Sequence, residues 1–162
     1  MGVTVVTLIR PLVGTCTIPQ EKRALVSKFL VGYDGSAQAG RALDFVVGIA
    51  SQNEGSEIHI AYVVQKPAGA PDPIPDELLE SLRKSGKETL VNAERVVKKN
   101  LIDAIIYLEM GNPGEKLMEL ASRLNPDLVV LGTLRHSASE RLLGTVSSHF
   151  LKSRAYPVLI VP

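Results

Sequence analysis

At 162 residues the chain has the size of one domain and can bury a core without disulfide or metal staples. An apolar fraction of 45% with 22% charged residues excludes a disordered polymer, and a formal charge of +1 leaves no bulk pull toward nucleic acid or anionic lipid. The lone Cys16 excludes an internal disulfide and a thiolate cluster, and His59, His136 and His149 stand at no metal-binding spacing, so function has to come from a built site in a protein of a reducing compartment.

The first fourteen residues are apolar, through Val3, Val5, Val6, Leu8, Ile9, Leu12 and Val13. The run is shorter than the ~20 residues that span a bilayer. Its only basic residue, Arg10, lies inside it, and no small-residue cleavage pattern follows, so it does not read as a signal peptide. The expectation is a cytoplasmic protein with no membrane partner. Residues 1–27 form an unassigned extension. They could be an added strand along a sheet edge, an arm to a second copy, a tail, or a stretch upstream of a natural non-Met start near Val26. Intact mass of the native protein decides the last of these.

The domain proper is expected over residues 28–162. Phe29, Leu30, Val31, Gly32 and Tyr33 form a short buried strand that ends in the turn signal Asp34, Gly35, Ser36. Ser36 is placed to cap a helix carried by Ala39, Ala42, Leu43, Val46, Val47 and Ile49. A break at residues 53–56 leads to a second strand over 57–64. Residues 66–75 hold four prolines and form a loop, after which helical spacing runs from Asp76 to about Asn100. A third strand is expected over 105–110. Asn112, Pro113 and Glu115 then form a helix start in which Asn112 caps and Glu115 reaches back. That helix ends before Asn125 and Pro126. A fourth strand covers 128–132, then a polar loop, a short helix beginning at Arg141 or Thr145, and a final strand over 157–161.

Strand and helix alternate without an internal repeat. Connections of this length make consecutive strands parallel, with right-handed crossovers and helices on both faces. The expected fold is therefore α/β with a five-stranded parallel sheet, and the order expected for it is 3-2-1-4-5. Ligands in such sheets bind outside the carboxyl ends of the strands where the order reverses, here between the first and fourth strands. Those strands end at Asp34 and Gly132, and the two segments should face each other across one crevice.

Residues 132–145 are the most informative stretch. Gly132 after a buried strand allows close backbone approach, and Gly144, Thr145 and Val146 at a helix start offer free N–H groups to an anion. A glycine required by packing and a threonine acting as a cap explain the same residues equally well. No catalytic set accompanies them. Gly114, Glu115 and Lys116 do not make a phosphate-binding P-loop, the dinucleotide fingerprint is absent, and no serine or cysteine nucleophile has a plausible base. The charged residues of the long helix, among them Arg83, Lys84, Lys87, Glu88 and Glu94, read as a solvated face of mixed sign.

Residues 29–36, 111–113, 127–132, 142–147 and 156–161, taken as an ordered set, resemble the universal stress protein family from Lys28 to Pro162. The resemblance implies a homodimer joined through the last strand, with no nucleic acid and with protein partners that are unknown. Some members hold ATP or a related adenine nucleotide, and others bind none. In nucleotide-binding members, the aspartate after the first strand lies near the adenosine, and a main-chain group late in the second strand meets the adenine. Their phosphates and ribose follow Gly-x-x-Gly, nine residues, then Gly-Ser/Thr. Asp34, Gly132, Gly144 and Thr145 match that pattern, with Val63 as the second-strand contact and Val146 beside Thr145.

Two departures matter. Arg135 stands where the second glycine belongs, and eight residues separate it from Gly144, so the loop is one residue short. Arg135 could supply a guanidinium to phosphate oxygens or block the pocket. The implied function is a stress-response module with weakened adenine-nucleotide binding and at most slow hydrolysis. A magnesium ion could accompany the phosphates near Asp34. The alternative is a nucleotide-free member acting through protein contacts. An enzyme on a related fold is a third reading without a visible acid–base set.

Overall fold

Asp127 receives the incoming chain where the sheet begins. Its Oδ2 accepts the backbone N–H groups of Ser27 and Lys28, each at 2.9 Å, and fixes the start of the first strand. The computed structural model describes residues 26–135, 141–142 and 144–162. Residues 1–25 of the expected extension, and the loop residues 136–140 and 143, lie outside the described residues.

The elements are β1 (Lys28–Gly32), α1 (Ala37–Ala50), β2 (Glu57–Val64), α2 (Asp76–Lys98), β3 (Asp103–Met110), α3 (Pro113–Leu124), β4 (Leu128–Gly132), β5 (Leu134–Arg135), β6 (Arg141–Leu142), α4 (Thr145–Ser153) and β7 (Val158–Val161). The main sheet runs β3-β2-β1-β4-β7 with every neighbouring pair parallel. This is the expected order 3-2-1-4-5, with β7 as the fifth long strand. β1 and β4 are central, and Phe29, Leu30, Val31, Val129 and Val130 are fully buried. A strand covered on both faces has no polar side to alternate with.

The pleat divides the core. Phe29, Val31, Ile58 and Ile60 pack on one face with Leu43 and Val46 of α1 and Leu90 and Val97 of α2. Leu30, Val129 and Leu131 pack on the other with Leu117 and Leu120 of α3 and Phe150 of α4. Neighbouring strand residues point to opposite faces, so a run such as Phe29-Leu30-Val31 serves both layers.

β1 begins and ends one residue earlier than expected and β7 begins one residue later, and three larger differences from the periodicity stand beside these. β3 begins at Asp103, two residues early, because its ladder to Glu57 in β2 is made by backbone and tolerates polar side chains at the strand mouth. α2 ends at Lys98, and exposed Leu101 takes a left-handed φ of 59° to turn the chain. The polar loop after β4 contains the antiparallel ribbon β5–β6, with Leu134 opposite Leu142 and Arg135 opposite Arg141. Arg141 is therefore in a strand, and the last helix starts at Thr145. A two-residue strand has no period to read.

His59 on β2 is only 3% exposed. Its Nδ1 lies 3.0 Å from the Tyr107 hydroxyl and its Nε2 lies 3.4 Å from Glu57 Oε2. Burial pushes its pKa below the usual histidine value, and the Glu57 carboxylate only partly offsets this. The unfolded chain takes up that proton near pH ~6.5, whereas the folded chain takes it up only at lower pH. Stability from neutral His59 is thus full above about pH 6.5 and is lost as the pH falls toward the folded value. Denaturation midpoints between about pH 7 and pH 5 should fall more steeply for the wild type than for His59→Gln. Parallel profiles would show that burial of this ring is not coupled to protonation.

Candidate functional site

A cavity of about 400 Å³ opens where β1, β2 and β4 end. The turn after β1 forms one rim. Gly35 there has a φ of 79°, which favours a residue without Cβ. The Asp34 Oδ1 accepts the Ser36 N–H at 2.9 Å, and Ser36 Oγ accepts the Ala39 N–H at 3.1 Å as the N-cap of α1. Asp34 is exposed at the cavity mouth, and its second oxygen makes no hydrogen bond among the described residues. Half-buried Tyr33 lies beside it. Burial raises the phenol pKa, with the Asp34 and Asp44 carboxylates adding to the effect, so the ring stays a neutral donor.

Helices following parallel strands begin at the same edge of the sheet, so three helix N-termini surround the cavity. α1 is capped by Ser36. α3 is capped by Asn112, whose Oδ1 accepts from Gly114 N at 2.9 Å and from Glu115 N at 3.4 Å. The expected return bond from the Glu115 side chain is not formed among the described residues. α4 differs: Gly144 is its N-cap, and no side chain caps it. The first-turn N–H groups of α4 are the ones left for an anion, at the positive end of its dipole. Thr145 is the first helical residue, so it does not act as the cap.

The wall is apolar along Ala61, Val63, Leu117, Leu131 and Val146, and polar at Gln65, Asn112, Thr133 and Thr145. No lysine or arginine lines it among the described residues, and Asp34 is its one carboxylate. No three metal-ligating side chains converge among the described residues.

Asp34, Val63, Gly132, Gly144, Thr145 and Val146 all line this one cavity. The Asp34 turn and the Gly132 loop therefore meet across a single crevice, on the two strands that flank the reversal of order. Arg135 has its backbone in β5, and its side chain lies outside the described residues. Gly132 carries a packing duty. A Cβ there would stand 2.8 Å from the Gln38 carbonyl carbon and 2.9 Å from the Ala39 nitrogen, so the close backbone approach is to the first turn of α1.

Sequence reasoning missed Gln65 and the start of α3 at Asn112 and Pro113. The switch-point argument weighs only the ends of β1 and β4, and the family resemblance adds only Val63 on β2. Both segments follow strand ends at the same edge, a signal available once the sheet is read as parallel.

Known proteins are similar in sequence and in shape. The family model described as the universal stress protein family matches residues 26–162. A universal stress protein of Methanocaldococcus jannaschii is 29% identical over 141 residues, covering 85% of this chain and 82% of its own. The structure of the universal stress protein UspA from Lactobacillus plantarum has a TM-score of 0.74 at 23% identity, covering 86% of this chain and 100% of its own. A universal stress protein in complex with cAMP has a TM-score of 0.65 at 25% identity, covering 86% of this chain and 99% of its own. Other structures of this fold hold dAMP and AMP. With one family model spanning everything from Val26 to the last strand, over a sheet of the matching order, the chain belongs to the universal stress protein family.

Proposed function

We propose that this chain is a stress-response module that binds an adenine nucleotide weakly in the switch-point cavity, with little or no catalysis. The observation that carries the reading is the uncapped start of α4, which shares one cavity with the Asp34 turn. Ala61 and Val63 offer a base an apolar wall, Asp34 offers the ribose an acceptor, and the N–H groups after Gly144 offer a phosphate its donors. The relatives that hold cAMP, dAMP and AMP support the ligand class. A magnesium ion would ride on the phosphates with Asp34 as the one carboxylate among the described lining residues. That donor set is too sparse to hold it alone.

A homodimer joined along β7 belongs to the same reading. β7 is an apolar strand paired only with β4 among the described residues, and pairing with its copy would cover the edge. A cytoplasmic location accompanies the proposal. Among the described residues no helix is long and apolar enough to cross a membrane.

Arg135 and the shortened loop favour a second reading, a nucleotide-free member that works through protein contacts. Calorimetry with AMP and with ATP and magnesium, run beside sedimentation velocity at micromolar concentration, separates the two. Binding in the micromolar to millimolar range by a dimer is the expected result. No heat with either nucleotide would overturn the first reading, and a monomer would overturn the β7 interface. Arg135→Gly then assigns the arginine: weaker binding makes it a phosphate ligand, and stronger binding makes it the obstacle.

A further inference from the structure

We propose, resting on the nucleotide reading above, that the side chain of Gln65 recognises the 6-amino group of the base and sets the preference of the cavity among purines. The strand order leaves the base one place. The phosphate stands at the start of α4, after β4, and the ribose beside Asp34, at the end of β1. The order β2-β1-β4 then puts the base above the end of β2. Ala61 and Val63 line the cavity there with apolar side chains, and Gln65, the first residue past β2, lines it beyond them.

An apolar wall holds the flat face of any purine, so discrimination needs polar groups at the edge of the base. Two carboxamides stand on this side of the cavity, Gln65 after β2 and Asn112 after β3, and hydrogen bonding sets them apart. The Asn112 Oδ1 is committed to the start of α3, accepting from Gly114 N at 2.9 Å and from Glu115 N at 3.4 Å. Asn112 therefore offers a ligand donors only. Main-chain oxygens nearby are engaged as well: Ala61 O accepts the Tyr33 N–H at 2.8 Å, and Val64 O accepts the Gly111 N–H at 3.0 Å. The exposed side chain of Gln65 makes no hydrogen bond among the described residues and keeps both an acceptor and a pair of donors.

Adenine matches that pair. Its 6-amino group donates and is flanked by the ring acceptors N1 and N7. Gln65 Oε1 can accept from the amino group while Nε2 donates to either neighbour, a pairing that suits a carboxamide whichever edge of the base it meets. A purine without the amino group leaves Oε1 facing a carbon. Gln65 lies outside β2, so changing it leaves the ladders of the sheet intact.

Calorimetry with AMP and with purine riboside 5′-monophosphate, which lacks only the amino group, tests this. The wild type should bind AMP about three- to tenfold tighter, as one neutral hydrogen bond provides. Gln65→Leu removes the acceptor and the donors at similar size and should bring the two affinities together. Gln65→Glu keeps an acceptor and loses the donors, so both nucleotides should bind more weakly while the preference for AMP remains. Thermal melting reports an unchanged fold in both variants. Equal affinities in the wild type overturn the inference, and so does loss of the preference in Gln65→Glu. A preference that survives Gln65→Leu also overturns it, assigning the amino group to a main-chain acceptor and leaving the nucleotide reading in place. No binding of either nucleotide by the wild type overturns both.

Discussion

Gly132→Ala should destabilise the domain by about 1–3 kcal/mol, and Gly48→Ala should stabilise it by about 0.5–1 kcal/mol. The same methyl group is added in both cases. At Gly132 it would stand 2.8 and 2.9 Å from backbone atoms of Gln38 and Ala39 and 3.0 Å from the Gln38 Cβ. Backbone cannot rotate away as a side-chain tip can, so β4 and α1 must separate or the strand end must bend. Either movement also reshapes the cavity, because Gly132 and Ser36 stand on its wall. At Gly48, inside α1, a Cβ meets nothing within 4 Å, and alanine removes the entropic cost of a helical glycine. Urea denaturation of the two variants reads the difference. Equal effects would mean that β4 and α1 are less closely packed than the distances require.

The second large effect concerns ligand. Thr145→Pro should weaken nucleotide binding roughly ten- to a hundredfold while leaving the fold as stable as before. Proline is favoured at the first helical position, where the N–H has no partner within the helix. It also constrains the preceding residue to extended or polyproline backbone. Gly144 already has φ −61° and ψ 163°, so the constraint is met in advance. The substitution therefore removes one N–H donor and one hydroxyl from the uncapped start of α4 without breaking the helix. A hydrogen bond to a charged group contributes about 1.5–3 kcal/mol, and each ~1.4 kcal/mol is tenfold in affinity. Calorimetry gives the affinity and thermal melting gives the stability. Unchanged binding in a stable variant would move the phosphate away from α4. Lower stability with lower binding would instead mean that the helix start was broken.

These two substitutions separate duties that one motif merges. Gly132 and Gly144 both read as glycines of a phosphate loop. One turns out to be where β4 touches the first turn of α1, and the other is the cap of a helix with no capping side chain. Asp34 likewise has two duties, since one oxygen closes the turn to Ser36 while the carboxylate stands at the cavity mouth. Its removal would disturb the turn as well as any ligand, which makes Thr145 the cleaner probe.

Much of the fold was legible in the amino-acid order. Uninterrupted apolar runs such as Leu128 to Leu131 mark strands buried on two faces, and Asn112 with Pro113 marks a helix start, because these signals depend on neighbours in the chain. Parallel strands with helices on both faces also followed from connection length and handedness. The order 3-2-1-4-5, and with it the meeting of Asp34 with Gly132, is seen in the sheet itself. Three further things did not follow from the amino-acid order. The β5–β6 ribbon is too short to show a period. The contribution of Gln65 and Asn112 to the cavity depends on where two other strands end in space. The reason for Gly132 is contact with Gln38 and Ala39, nearly a hundred residues earlier in the chain. Local order determines which segments pair and turn; close packing between distant segments decides which atoms have room, and only the tertiary structure holds that information.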